Sequence, residues 1–175
     1  YNYFYKIFNQ YSNMKLATIC LLQRDNEILM LHRNKSLDDI HYNKYVALGG
    51  KINDGESPEH CVEREVFEES GLTISRPVLK GILTFDNQGR IMPNGKPEEN
   101  WYVFVYFCKD FSGILRDEAK EGTLLWVPTT RLYELNLHEG DKLFLPWIIN
   151  HPGYFSARFV YEREKLVGHH VIFYP

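Results

Sequence analysis

The chain has 175 residues, the length of one domain, and its 44% hydrophobic and 25% charged positions suit a soluble globular protein with a full core. A net charge of −3 argues against a dedicated nucleic-acid or membrane-surface binder, so no stable nucleic-acid complex is expected. Cys20, Cys61 and Cys108 are scattered, without a CxxC or Cys/His cluster, which points to neither a disulfide framework nor a zinc site and fits a reducing cytoplasm; no apolar run approaches the ~20 residues that span a bilayer.

Residues 1–13, YNYFYKIFNQYSN, are rich in Tyr and Asn, unlike the rest of the chain, and lack the apolar centre of a signal peptide. They read as an N-terminal extension or a cloning remnant, with an extra edge strand as the alternative. The domain itself is expected over 14–175, with Met14 as a natural start. Leu16 to Gln23 and Glu27 to His32 are apolar, strand-like runs around a hairpin turn at Arg24-Asp25-Asn26. Residues 33–44 are polar and read as a loop. Tyr45 to Leu48 is a short strand leading into Gly49-Gly50, where two glycines let backbone approach a ligand closely. Val78 to Phe85 and Trp101 to Cys108 read as strands flanking a long loop at Asp86–Asn100. Asp110 to Gly122 reads as a polar, acidic loop, and Thr123 to Val127 as a strand stopped by Pro128. Thr130 to Leu137 holds a helical turn. Leu143, Phe144, Trp147 and Ile148 give Glu139–Ile149 a helical spacing. Phe155 to Tyr161 and Leu166 to Tyr174 form a closing hairpin. Strands around one central helix, with a second helix near the end, predict an α/β layered domain without repeats or linkers.

The stretch GKINDGESPEHCVEREVFEESGL, Gly50 to Leu72, carries the chemistry. Ser57 is a good N-cap, Pro58 suits the first helical position, and Gly71 supplies a left-handed stop with Leu72 packing back, so a helix runs from about Ser57 to Ser70. Val62 and Val66 mark its buried stripe. Glu65, Glu68 and Glu69 share one face at i, i+3 and i+4. Three like charges repel there, and the helix dipole disfavours each in the last turns by about 0.3–1 kcal/mol. Alone, they read as a solvated acidic face. A hard divalent cation with oxygen ligands would resolve the conflict.

The spacing Gly-x5-Glu-x7-Arg-Glu-Val-x-Glu-Glu-x-Gly-Leu matches every fixed position of the Nudix box, and the chain resembles the Nudix hydrolases. More weakly, from about Met14 onward, it is similar to MutT-type nucleoside triphosphate diphosphatases. The resemblance implies the Nudix fold, an α/β/α sandwich with a mixed, partly closed central sheet. It also implies a loop–helix–loop that binds Mg²⁺, with Mn²⁺ as the alternative, and splits a nucleoside diphosphate linked to a further group.

On that resemblance Glu68 and Glu69 are the first metal ligands, with Glu65 beside them and the Gly50 carbonyl as a further ligand. Glu65 either binds metal or helps activate water. Arg64 pairs with carboxylates and holds the box, and Glu56 ties the loop to the helix or joins the outer metal shell. Many relatives bring a glutamate from a distant loop; Glu121 fits that placement and Glu118 is its rival. Lys51, and more weakly Arg33, are candidates for phosphate oxygens.

Oxidised-purine sanitising relatives place an Asn before the double glycine and two acidic residues in the later helix. Here Val46 stands at the first position, Asp141 matches one acidic position and Gly140 replaces the other. Phe85, Phe144 and Trp147 are candidates for base stacking or for core. No Ser or Cys nucleophile pairs with His32, His60 or His169-His170, and Cys61 reads as packed.

The leading expectation is a metal-dependent pyrophosphohydrolase that converts a nucleoside triphosphate, with 8-oxo-dGTP a candidate, into a monophosphate and pyrophosphate. Hydrolysis of ADP-ribose, dinucleoside polyphosphates or 5′-pyrophosphorylated RNA is the alternative within the class. A non-catalytic nucleotide sensor is the alternative outside it, and a complete box favours catalysis. The protein is expected as a monomer or homodimer.

Overall fold

A computed structural model describes residues 14–89, 91–92 and 95–175; the expected extension at 1–13 lies outside the described residues. The chain begins with β1 (Lys15–Arg24) and β2 (Glu27–His32), joined at Asp25, whose φ of 52° lets a two-residue turn close the hairpin. Next come β3 (Tyr45–Val46), β4 (Leu48–Lys51) and helix α1 (Pro58–Ser70). The middle of the chain contributes β5 (Leu72–Ser75), β6 (Val78–Gln88), β7 (Trp101–Cys108), β8 (Asp110–Gly113) and β9 (Thr123–Pro128). A 3₁₀ turn at Thr129–Glu134 leads to α2 (Glu139–Asn150), and the closing hairpin is β10 (Tyr154–Glu162) with β11 (Lys165–Tyr174).

The large mixed sheet runs β11-β10-β6-β7-β1-β2-β3, with β4 also paired to β1 and β9 to β2. Strand β1 is where it divides. Lys15 to Leu22 pair in parallel with β7, Ala17 to Cys20 pair antiparallel with β4, and only Gln23 and Arg24 pair with β2. Such a central strand must be apolar on both faces. Ala17 and Leu21 enter the core under α2 with Phe144, Leu145 and Ile148; Cys20 and Leu22 enter the core under α1 with Val62 and Val66. One helix therefore covers each face, giving the expected α/β/α sandwich. Among the described residues no helix is long and apolar enough to cross a membrane.

The structure departs from the sequence reading in three places. Tyr45–Leu48 is not one strand: β3 pairs with β2 while β4 pairs with β1. The loop expected at Asp110–Gly122 opens with β8, which pairs with the unforeseen β5 as a separate small sheet. Only Leu72 and Ile74 of β5 are buried, too few alternations to stand out in sequence. Strand β6 also continues through Gln88, where it pairs with β10, so the loop after it is shorter than expected.

Candidate active site

The site is built where β4 meets α1. Gly50 pairs with Thr18 of β1, and a Cβ at Gly50 would collide with the Glu65 carboxyl group, so glycine leaves that carboxyl room to lie against the strand. Helix α1 starts as its sequence predicts, with Ser57 Oγ accepting from the His60 amide at 3.2 Å, and it stops at Gly71 with φ 76°.

Arg64 organises the acidic face. Its Nε and Nη2 donate to the two oxygens of Glu56 at 2.7 and 2.8 Å, and its Nη1 donates to Glu65 at 2.6 Å and to Glu68 at 3.3 Å. Nη2 also donates to the Lys51 carbonyl at 3.1 Å, and the Cys61 thiol donates to the same oxygen at 3.4 Å. The hydrogen bonds from Arg64, with one from the Asn53 amide, pull the Glu56 carboxyl down to about 2. Glu56 thus ties the loop to the helix.

Glu69 points the other way, toward the strand. Its Oε2 accepts from the Gly49 amide at 3.0 Å. Burial pushes its carboxyl up to about 8 against that hydrogen bond, and the charges of Glu121 and Glu65 push the same way, while Arg33 opposes them. Glu121 therefore lies within electrostatic reach of Glu69 although 52 positions separate them in sequence (121 − 69). Its rival Glu118 is drawn off by Lys35 Nζ at 2.8 Å. Arg33 bridges two acids: Nε donates to Asp39 at 2.6 Å, and Nη1 donates to Glu121. Burial works against the Asp39 charge, but the hydrogen bonds from Arg33 and from the His41 amide prevail and hold that carboxyl low.

The donors expected from the sequence, the Gly50 carbonyl and the carboxylates of Glu65, Glu68, Glu69 and Glu121, are all oxygens, the chemistry that suits a hard divalent ion. Among the described residues no three acidic, imidazole or thiol groups are already drawn into a ligand cluster. Glu65 and Glu68 are turned toward Arg64, and Glu121 toward Arg33.

Two of the sequence candidates are not brought to the carboxylates. Lys51 pairs with Ala17 and extends over the sheet face opposite α1, with its ammonium 5.5 Å from the centre of the Trp101 ring. Asp141 stands in the first turn of α2 on that same side. Burial pushes its carboxyl up to about 7, with Lys44 opposing. Phe144 is 3% exposed and belongs to the core, whereas Phe85, 6.4 Å from it, and Trp147, against Phe155 and Phe159, are partly buried and pack against that core. Val46 is partly buried and packs against the core beneath α1.

Sequence reasoning missed Asp39 and Arg116. Asp39 sits in a loop with no periodicity to mark it. Arg116 donates from Nη1 to the Glu68 carbonyl at 2.6 Å and packs its guanidinium 5.7 Å from the Phe67 ring, giving the acidic end of α1 the positive charge its own last turn lacks.

The sequence model of the NUDIX domain matches residues 14–148. The chain belongs to the Nudix family. A curated relative, the uncharacterized Nudix hydrolase YvcI of Bacillus subtilis, is 30% identical over 152 residues, covering 86% of this chain and 89% of that protein. The NAD-capped RNA hydrolase NudC of Actinobacillus succinogenes is 33% identical over 107 residues, but these cover 60% of this chain and only 36% of NudC. Among solved structures, the Mutator MutT protein of Bacillus halodurans superposes with a TM-score of 0.77 at 26% identity, covering 90% of this chain and 97% of that one. The MutT NUDIX hydrolase of Burkholderia pseudomallei gives 0.61 at 25% identity, covering 78% and 98%. The Nudix box is thus Gly50–Leu72, the protein is a Nudix hydrolase for nucleoside-diphosphate-linked substrates, and the family generally uses a divalent metal.

Proposed function

We propose that the protein is a Mg²⁺-dependent nucleoside triphosphate pyrophosphohydrolase, releasing a nucleoside monophosphate and pyrophosphate, with 8-oxo-dGTP as a candidate substrate and Mn²⁺ as an alternative metal. The observation that carries this reading is the approach of Gly50 to Glu65, with Glu69 enclosed beside them in the field of Glu121. The overall likeness to the MutT protein of B. halodurans accords with the resemblance to MutT-type nucleoside triphosphate diphosphatases drawn from the sequence.

A divalent ion bound there would neutralise phosphate charge and polarise the scissile anhydride. Gly50, Glu65, Glu68, Glu69 and Glu121 are the residues assigned to hold it. Arg64 keeps Glu56, Glu65 and the Lys51 carbonyl in register, so it serves catalysis by positioning. In this reading a water oxygen forms a bond to phosphorus, the bridging P–O bond breaks with its electrons going to the leaving phosphate oxygen, and the water proton passes to a carboxylate of the box, Glu65 or Glu68. Arg33, next to Glu121, is assigned to phosphate oxygens, and Lys51 and Asp141 to the nucleoside end on the opposite side of the sheet.

A second reading, hydrolysis of a dinucleotide or a capped RNA, is favoured by the similarity to NudC over the matched segment. The deciding experiment incubates the protein with Mg²⁺ and dGTP, 8-oxo-dGTP, other nucleoside triphosphates, ADP-ribose, diadenosine polyphosphates, NAD-capped RNA and 5′-triphosphate RNA. Pyrophosphate and phosphate are measured separately. Preferred release of pyrophosphate from a triphosphate supports the proposal. Preference for a dinucleotide or capped RNA transfers it to the second reading, and tight binding without turnover transfers it to a sensor.

A further inference from the structure

Residues 33–44 leave the end of β2 and return to β3 as a strap beside the acidic site. Its neck is closed by the Arg33 amide donating to Lys44 O at 2.9 Å and the Asn43 amide donating to Arg33 O at 2.6 Å. Inside the strap Asp39 is the hub. Its Oδ2 accepts from Arg33 Nε at 2.6 Å and its Oδ1 accepts from the His41 amide at 3.0 Å. The Asp39 and Arg33 side chains are only 14% and 18% exposed, unlike the surface ion pairs that contribute little. A guanidinium is a rigid planar fork, so fixing Nε fixes the direction of Nη1. That Nη1 donates to Glu121 Oε2, leaving Oε1 as the oxygen turned elsewhere. Glu121 itself is 44% exposed, so packing alone does little to set its direction.

We propose that Asp39 is a positioning residue for the metal site: it fixes the plane of Arg33, and Arg33 holds the Glu121 carboxylate so that its second oxygen faces the ion. This rests on Glu121 being the distal ligand. Released from Arg33, Glu121 must give up rotamer freedom each time it coordinates, and affinity for the ion falls. The strap also reaches α2. His41 Nδ1 and His138 Nε2 share a hydrogen bond at 2.9 Å, and Lys44 Nζ donates to Asn136 Oδ1 at 2.8 Å. Asp39 therefore sits where the Glu121 loop and the start of α2 are tied together.

The test is a double-mutant cycle read by Mn²⁺ binding, using electron paramagnetic resonance on the whole chain without nucleotide. Asp39→Asn should weaken Mn²⁺ binding about 10-fold, as residues behind metal ligands commonly do. On a Glu121→Gln background the same change should matter less than about twofold. Melting temperatures are recorded alongside, and Arg33→Lys, which keeps the charge but loses the fork, serves as the second probe if Asp39→Asn does not fold. Equal weakening with and without Glu121, wild-type affinity in Asp39→Asn, or wild-type affinity in Glu121→Gln each overturns the proposal. Failure of the hydrolase reading looks different: the cycle couples as stated, and no nucleotide in the panel is cleaved.

Discussion

The amide of Gly49 donates to Glu69 Oε2 at 3.0 Å, so the strand carrying the double glycine and the last turn of the box helix meet at one carboxylate. That carboxylate is enclosed among other acids, which makes it the residue most dependent on a cation. Adding Mg²⁺ to metal-free protein should raise its melting temperature, by the equivalent of about 2.7 kcal/mol at a hundredfold excess over Kd. Glu69→Gln should abolish most of this increment while keeping the hydrogen-bonded contact to Gly49. Scanning calorimetry with and without EDTA decides it; a full Mg²⁺ response in Glu69→Gln removes Glu69 from the ligand set.

Gly50→Ala is expected to cost little global stability but to disturb the site, because its new methyl group falls on the Glu65 carboxyl group, the flexible end of a side chain that must swing away. Urea unfolding measures the stability, and Mn²⁺ titration measures the site. Unchanged Mn²⁺ affinity would mean that the site does not need the Glu65 carboxyl group where it lies beside Gly50.

Arg116→Ala should lower stability by about 1 kcal/mol through loss of the cation at the end of α1. For a chain of this size that corresponds to a fall of about 2–4 °C in Tm. Raising the salt concentration should shrink the difference between the two proteins, since part of it is a screened charge–dipole interaction.

Asp141 gives a dependence on pH. Its folded-state value, about 7, lies above the ordinary aspartate value of about 3.9. The native state therefore keeps a proton that the unfolded chain has lost between those values. The contribution is fully present below about pH 4 and disappears as pH rises through about 7. Asp141→Asn cannot lose a proton, so its Tm should exceed that of wild type at pH 8 and match it near pH 4. Each kcal/mol recovered should appear as about 2–4 °C. Equal pH profiles for the two proteins would contradict the burial of this carboxyl.

The box was legible because its determinants are local. Ser57, Pro58 and Gly71 fix the helix ends by backbone rules, and Val62 and Val66 fix its buried face, so the positions of Glu65, Glu68 and Glu69 follow from helix geometry. Arg33 was legible only as a cation at a strand end. Its two partners lie in an aperiodic loop and 88 positions further along the chain, and no local rule joins them. Lys51 shows the limit of reading a strand: its chemistry was plain, but the side of the sheet it faces depends on pairing with Ala17. Likewise Tyr45–Leu48 reads as one short strand, and the break at Ala47 comes from its flanks joining different partners.

The parallel ladder between β1 and β7 sets the order in which this site can come into being. The box is contiguous in sequence, yet β4 rests on β1, and β1 is held along Lys15 to Leu22 by a strand that begins at Trp101. Closing that ladder is a slow, long-range search during refolding. An ion that needs Gly50 and Glu69 in place can bind only after the search is over. Mg²⁺ should then leave the refolding rate nearly unchanged and slow unfolding instead, lengthening the lifetime of the native chain.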